Sequence, residues 1–236
     1  MVSDRAAQPA DPSDRLILTI PGLWNRGFEA WWLCRRLGAA AGCPSLVFRY
    51  RTVTADFDRS VAQLAETIER LPATPIDLVG HSLGGLLALA GMARLPAGSI
   101  RRAVLLGPPV RGSQAVRSAL DGIPGGRWVI GRNANLLASG LSHTPPPGIE
   151  TGVIAGSGGV GVGRVVTRFD GPNDGTIAVN ETRLDGATDR LVLPVTHTGM
   201  LFSRPVVDAA VHFLNHGTFR DHRRRDAQSS SRSFSS

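Results

Sequence analysis

Short apolar runs alternate with helix-like segments along most of the chain. The apolar runs are rich in aliphatic residues, as is typical of buried strands, and lie at residues 16–23, 45–50, 75–80, 100–109, 150–156 and 189–195. Helix-like segments lie between or after them, at residues 28–42, 56–71, 82–95 and 204–217. No hairpin turn signal joins successive runs. The pattern therefore predicts right-handed crossovers and an α/β fold, with a mostly parallel sheet covered by helices on both faces.

Two terminal segments and one internal segment depart from this alternation. Residues 1–15 are polar and Pro-containing and predict a flexible lead, and residues 218–236 predict a disordered tail rich in Arg and Ser. Between them, residues 16–217 predict one domain. Residues 110–148 are rich in Gly, Pro, Ser and Asn, with one helix candidate at 113–120. This stretch is too long for an ordinary connection and predicts a small lid or active-site insertion.

The chain has 236 residues, 42% of them hydrophobic, and this composition indicates one globular domain. The formal net charge of +7 would suit a nucleic-acid partner, but the 218–236 tail supplies +3 of it through five arginines and two aspartates. Every basic residue is Arg, which is typical of a compositional bias, so we expect no specific nucleic-acid partner. The charge gives no indication of an oligomeric state.

The two cysteines and the apolar segments give indications of the cellular compartment. Cys34 and Cys43 lie in no metal-ligand spacing, and we expect them to be thiols in a reducing compartment. The first residues contain no apolar stretch typical of a secretory signal, and residues 78–93 are too short and too polar to span a bilayer. These features predict a cytoplasmic protein without a transmembrane segment.

The strongest chemical motif is "GHSLGG" at residues 80–85, between a predicted strand and a predicted helix. A nucleophilic serine at such a sharp turn needs small residues two positions before and after it, and Gly80 and Gly84 occupy those positions around Ser82. Alternatively, Ser82 would only cap its helix. Capping gives no reason for Gly84 and Gly85 in the first helical turn, where each costs about 1 kcal/mol relative to Ala. The context therefore favours a nucleophile.

At these residues the chain resembles the α/β-hydrolase superfamily, specifically its serine esterases and lipases. Two further stretches are similar to lipase-like members, "LLGPPVRGSQAV" at 105–116 and "FDGPNDGTIAVNET" at 169–182, and the resemblance extends over about residues 16–215. It implies the α/β-hydrolase fold and a catalytic triad in the order serine, acid, histidine.

Six histidines compete for the place of the general base. His81 adjoins the serine and is expected to point away from it, whereas His143, His212, His216 and His222 lie in the insertion, the last helix and the tail. His197 directly follows a predicted strand, at the edge where parallel sheets carry their sites. It is therefore the predicted base.

The acid is expected after the strand at 150–156. The chain offers several candidates there, namely Asp170, Asp174, Asp185, Asp189 and Glu181. An Asp before Gly is also a common turn residue. The resemblance selects Asp174, in "PNDG", with Asp170 as the second choice, and implies that it holds the imidazole tautomer and stabilises the imidazolium.

An acyl-transfer site also needs two backbone N–H donors for the oxyanion. The resemblance implies Leu83, directly after the serine, and a residue in the loop after the first strand. Many relatives have His-Gly in that loop, and this chain has Pro21-Gly22, so the second donor is expected to be Leu23, or alternatively Trp24.

One glycine motif is typical of a different kind of site, for a dinucleotide. Gly156, Gly158 and Gly161 form a G-x-G-x-x-G after a strand, but no helix pattern opens at the third glycine, so the stretch favours a loop over a dinucleotide site. We expect no cofactor and no metal. The predicted function is hydrolysis of a small-molecule ester or acyl substrate through an acyl-enzyme. A thioesterase or acyltransferase with the same triad, or a non-catalytic binding protein of the same fold, are the alternatives.

Overall fold

A parallel sheet forms the centre of the molecule. The computed structural model describes residues 15–219 apart from 25–26, 73–74, 162 and 164–166. The strands of this part are β1 (Leu16–Ile20), β2 (Ser45–Val47), β3 (Ile76–His81), β4 (Ile100–Leu106), β5 (Glu150–Gly156) and β6 (Asp189–Leu193). They lie in the order β2-β1-β3-β4-β5-β6, and every neighbouring pair is parallel. The predicted α/β class with a parallel sheet is confirmed.

Helices cover both faces of this sheet. They are α1 (Phe28–Ala41), α2 (Phe57–Glu69), α3 (Leu83–Met92), α4 (Gln114–Gly122), α5 (Gly126–Ile130), α6 (Ala134–Ser139) and α7 (Arg204–His216). Side chains of a strand alternate between faces, so Leu78 joins one core cluster with α2 and α3, whereas Val79 joins a second with α1 and α7. All ten residues of α3 are buried, as expected for a helix enclosed on every side.

Local sequence explains where several helices begin and end. Asp56 caps α2 by accepting hydrogen bonds from the N–H groups of Asp58 and Arg59, and Ser113 caps α4 in the same way. Gly42 ends α1 and Gly217 ends α7, both in the left-handed conformation at the position that favours glycine. Pro205 lies in the first turn of α7, where its missing N–H has no cost.

The insertion at residues 110–148 contains more structure than the sequence predicts. The single helix candidate at 113–120 corresponds to α4, and the short helices α5 and α6 follow it. Gly125, Gly131 and Gly140 adopt positive φ and provide the turns between and after these helices. The glycines that suggest irregular chain are therefore the connectors of a compact three-helix segment.

Both predicted domain boundaries require small corrections. Arg15, assigned to the flexible lead, is buried and contacts Asp77 at 3.3 Å. Thr218 and Phe219, assigned to the tail, are also part of the fold, because Phe219 is fully buried against Phe213, with ring centroids 4.7 Å apart. Residues 1–14 and 220–236, the rest of the predicted lead and tail, lie outside the described residues. Within the described ranges, no helix combines the length and apolar character needed to cross a bilayer.

Candidate active site

Ser82 lies at the sharp turn between β3 and α3. Its backbone has φ 54° and ψ −121°, a strained conformation for a residue with a side chain. Its hydroxyl makes no capping hydrogen bond to α3, so the alternative of a simple capping serine has no support in the contacts. The residue is 8% exposed, at the carboxyl end of a central strand. Strain without a capping bond is typical of a side chain held for chemistry.

The glycines around Ser82 are required by close backbone packing. A Cβ on Gly80 would lie 2.5 Å from the carbonyl oxygen of Gly84, and a Cβ on Gly84 would lie 2.5 Å from that of Pro21. Gly22, in the loop after β1, is similarly close, since its Cβ would lie 2.9 Å from the Cβ of Ser82. Strand, helix and loop thus meet around Ser82 without room for a side chain at these three positions.

Asp174 and His197 form a direct hydrogen bond. The Nδ1 atom of His197 lies 2.6 Å from Oδ2 of Asp174, and the His197 N–H donates to the backbone oxygen of Asp174 at 2.8 Å. The Asp174 side chain is fully buried and that of His197 is 12% exposed. Because a carboxylate only accepts, Nδ1 of His197 carries the proton and Nε2 is left as the basic nitrogen.

The other oxygen of Asp174 is fixed by its own loop. Oδ1 accepts from the N–H groups of Thr176 at 2.9 Å and Ile177 at 2.6 Å. An isolated antiparallel bridge between Asn173 and Ala178 closes the loop. Both carboxylate oxygens are therefore engaged, and Oδ2 points at His197.

The other acid candidates lie in different contacts. Asp170 is exposed, Asp185 pairs with Arg111 at 3.0 Å, and Asp189 accepts from the N–H of Phe219 at 2.7 Å. The remaining histidines are also apart from Asp174, since His143 is exposed and His212 and His216 pack on each other along α7. His222 lies outside the described residues.

His81 supports the loop of His197, a contact that the sequence did not indicate. Its Nε2 lies 3.0 Å from the backbone oxygen of His197, and the two rings are 4.7 Å apart. A carbonyl oxygen only accepts, so Nε2 of His81 carries a proton. Burial lowers the pKa of His81 to about 3, with a smaller contribution from the neighbouring His197. His81 is thus neutral, and it joins the turn at Ser82 to the loop of His197, 116 residues away.

The two predicted oxyanion donors belong to segments that adjoin Ser82. Leu83 is the first residue of α3, where an N–H has no acceptor within the helix. Leu23 directly follows Gly22 in the loop beside Ser82. Two long-range bonds hold this loop, since the Tyr50 hydroxyl donates to the Pro21 oxygen at 2.8 Å and Trp24 Nε1 donates to the Val129 oxygen at 3.0 Å. Trp24 therefore links the loop to the insertion.

Glu181, another candidate for the acid, bonds to two backbone N–H groups. Its Oε1 accepts from the N–H of Gln114 at 2.5 Å, and its Oε2 accepts from the N–H of Ala178 at 2.8 Å. Burial raises the pKa of its carboxyl group, which these two bonds oppose. Glu181 thus ties the start of α4 to the loop of Asp174. No local pattern could reveal this, because the contact with Gln114 spans 67 residues.

The described residues also bear on a metal site and on a dinucleotide site. Among residues 15–219 as described, no group of three or more His, Cys, Asp or Glu side chains is arranged to hold a metal ion. The G-x-G-x-x-G glycines pack closely onto the site, since a Cβ on Gly158 would lie 2.6 Å from the backbone of Val195 and one on Gly161 would lie 2.8 Å from that of Gly175. Close packing therefore explains both glycines.

Comparisons with known proteins agree with this architecture. A family model described as "Alpha/beta hydrolase family" matches residues 17–152. The lipase BlEst2 from Bacillus licheniformis, in its mature form, is 18% identical with a TM-score of 0.61, over 81% of this chain and 88% of that one. A metagenomic carboxyl esterase, MGS0156, is 14% identical with a TM-score of 0.60, over 87% and 72%.

A thioesterase has a similar structure as well. RedJ, from the prodiginine biosynthetic pathway in Streptomyces coelicolor, is 18% identical with a TM-score of 0.54, over 92% of this chain and 96% of that one. At these identities the structural likenesses concern the fold. No curated protein matches the chain.

Proposed function

Because the chain belongs to the alpha/beta hydrolase family, we propose that it is a serine hydrolase that cleaves carboxylic esters with Ser82, His197 and Asp174. The observation that carries the proposal is the 2.6 Å hydrogen bond between His197 Nδ1 and Asp174 Oδ2, at the same sheet edge as the strained Ser82. A fold alone does not fix a function, so the proposal rests on these side chains.

The first chemical step is attack of Ser82 Oγ on the ester carbonyl. Nε2 of His197 removes the hydroxyl proton as the Oγ–C bond forms, and Asp174 stabilises the imidazolium that results. Both oxygens of Asp174 are engaged, which holds the imidazole in one tautomer and orientation. Asp174 itself stays ionised throughout.

The tetrahedral oxyanion is stabilised by the N–H groups of Leu83 and Leu23 in this proposal. Such donors act where charge develops, and each contributes about 3 kcal/mol to the transition state. As the intermediate collapses, the ester C–O bond breaks and His197 returns the proton to the departing alcohol. A water molecule, deprotonated by His197, then hydrolyses the acyl-enzyme and regenerates Ser82.

Labelling with a fluorophosphonate tests the nucleophile. The wild-type protein is expected to form one covalent adduct, and Ser82→Ala is expected to form none, as measured by intact-protein mass spectrometry. Ser113→Ala is a matched control, because Ser113 is also buried but caps α4. An unlabelled wild type would refute the proposal and favour a non-catalytic binding protein, whereas equal labelling of Ser82→Ala would refute Ser82 as the nucleophile.

Turnover assays separate the possible acyl substrates. We expect hydrolysis of p-nitrophenyl esters from acetate to decanoate, and the preferred chain length distinguishes an esterase from a lipase. The same triad would also serve a thioesterase or an acyltransferase. A higher kcat/KM for a butyryl thioester than for the matched butyrate ester would assign the protein to the thioesterases. A product that carries the acyl group on an added alcohol would indicate an acyltransferase.

A further inference from the structure

A cavity rich in arginine lies beside the loop that follows β2. It has a volume of about 760 Å³ and is lined by the side chains of four arginines and one aspartate, Arg49, Arg51, Arg59, Arg132 and Asp56, together with Tyr50 and neighbouring residues. All four arginines are exposed to solvent. The candidate catalytic residues do not line this cavity.

Three separate segments bring these arginines together. Arg49 and Arg51 follow β2, and Arg59 lies in the first turn of α2. Arg132 comes from the turn between α5 and α6, more than 70 residues further along the chain. That turn is docked on the β2–α2 loop, because the Arg132 N–H donates to the Val53 oxygen at 3.1 Å. Like charges are thus held at one place by the fold.

The neighbouring residue reinforces this docking. Asn133 is buried, and its side-chain amide donates to the Ala55 oxygen at 3.3 Å. Gly131 packs so closely on Val53 that a Cβ there would lie 2.8 Å from a Val53 methyl group. The position of Arg132 at the cavity is therefore fixed by the backbone of the insertion and does not depend on a flexible loop end.

These four guanidinium groups lack partners within the described part of the chain. None of them forms an ion pair or a hydrogen bond with another described residue, whereas Arg15, Arg101, Arg102 and Arg111 all contact carboxylates. Asp56, the one carboxylate among the described residues that line the cavity, already accepts from two N–H groups as the cap of α2. The cavity therefore has an excess of positive charge that the described residues do not neutralise.

The cavity is connected to the candidate active site through one side chain. Tyr50 lines the cavity, and its hydroxyl donates to the Pro21 oxygen at 2.8 Å. Pro21 precedes Gly22, which packs against Ser82. Because β2 and β1 are parallel neighbours, the residues that follow them emerge at the same sheet edge. The cavity and Ser82 therefore lie at the same edge of the sheet.

We propose that this cavity binds an anionic group of the substrate, a phosphate or a carboxylate, on the molecule whose ester carbonyl reaches Ser82. The assignment of the group to a substrate rests on the proposed serine hydrolase function. Guanidinium groups bind phosphate and carboxylate oxygens through paired N–H donors, and they stay charged at every physiological pH. The cavity then selects esters that carry an anionic group remote from the bond that is cleaved.

Titration with inorganic phosphate tests the cavity without catalysis. The cavity variant is Arg49→Gln with Arg132→Gln, and the matched control is Arg70→Gln with Arg204→Gln, two arginines that are 79% and 83% exposed outside the cavity. Calorimetry at low ionic strength is expected to give at least a tenfold weaker phosphate affinity for the cavity variant only. Equal affinities in the wild type and both variants would overturn the proposal. Circular dichroism verifies that both variants are folded.

A matched pair of substrates tests whether the anion belongs to the substrate. The p-nitrophenyl monoester of glutaric acid carries a carboxylate, and p-nitrophenyl valerate is a neutral ester with an acyl chain of the same length. We expect the ratio of kcat/KM for the anionic over the neutral ester to fall at least tenfold in the cavity variant and to keep its wild-type value in the control. Added salt is expected to lower the wild-type ratio.

The outcomes of the two experiments are distinguishable. Loss of phosphate binding with an unchanged ester ratio would show that the cavity takes a free anion, and would overturn its assignment to the substrate. If the wild type hydrolyses neither ester and resists the fluorophosphonate, the proposed function fails and the substrate assignment fails with it. The phosphate titration then still decides whether the cavity is an anion site.

Discussion

Replacing Gly84 by alanine tests whether close backbone packing holds the turn that carries Ser82. The added Cβ would lie 2.5 Å from the Pro21 oxygen and closer still to the Ile20 oxygen. Both atoms belong to the backbone of β1 and its loop, which cannot rotate away. Overpacking of this kind costs about 1–3 kcal/mol or more. Because the atoms it meets are backbone, we expect a cost at the upper end of this range; alanine recovers about 1 kcal/mol of helix propensity, which leaves a net loss of about 2 kcal/mol.

Gly122→Ala is the matched control for this substitution. Gly122 is the last residue of α4, and a Cβ there would meet nothing within 4 Å. The control is expected to be neutral or up to about 1 kcal/mol more stable than the wild type. For a chain of this size, a difference of about 2 kcal/mol between the two variants corresponds to a separation of about 4–8 °C in Tm.

Differential scanning calorimetry and fluorophosphonate labelling together measure the effect. We expect Gly84→Ala to melt at a lower temperature and to label more slowly, because β1 and its loop must move away from Ser82. Identical Tm values and labelling rates for Gly84→Ala and Gly122→Ala would refute the packing argument. A lower Tm with unchanged labelling would limit the role of Gly84 to stability.

Three further substitutions have defined outcomes. Asp174→Asn is expected to lower kcat for p-nitrophenyl butyrate by about 10⁴, because an amide does not fix the tautomer of His197; a loss below tenfold would contradict its assignment. His81 is neutral in the fold, because its pKa is lowered from 6.5 to about 3. Below pH 6.5 the unfolded chain binds a proton at this residue that the folded chain does not, so the free energy of unfolding is highest above pH 6.5 and declines as the pH falls toward 3. Between pH 8 and 5 the wild type should lose about 2 kcal/mol more unfolding free energy than His81→Gln in urea titrations, and parallel losses would exclude this explanation. Asp77 is fully buried between Arg15 and Arg101, so Asp77→Asn should cost about 3 kcal/mol, and a loss below 1 kcal/mol in urea titrations would argue against a stabilising network.

The sequence predicted the sheet well because most of its strands are largely buried. The run at 75–80 corresponds to β3 within one residue at each end. Other runs were predicted to extend too far, past a single residue that turns the chain. Thus β1 ends at Ile20, before Pro21, and β4 ends at Leu106, before Gly107 with its φ of 54°. Apolar character continues past these points, but the backbone direction does not.

The sequence could identify candidate side chains but not the contacts between distant loops. Ser82 was identifiable because close backbone packing around it requires glycines at neighbouring positions of the sequence. The bond of His81 to the His197 loop and the bond of Glu181 to Gln114 join segments 116 and 67 residues apart. The helices α5 and α6 are five and six residues long, too short to be stable alone, and they form because the insertion docks on the β2–α2 loop. The arginine cavity depends on the same docking.

The burial of Phe219 has a consequence for the order in which the domain can form during synthesis. Gly152 on β5 leaves space for two rings, since a Cβ there would lie 2.7 Å from Phe219 and 2.8 Å from Phe213 on α7. The backbone N–H of Phe219 also donates to Asp189 at the start of β6. The core on this face of the sheet therefore stays open to water until the ribosome has released residue 219. A nascent chain that lacks this segment exposes the apolar positions that Phe219 covers, and a form of the protein that ends before Phe219 is expected to be less stable.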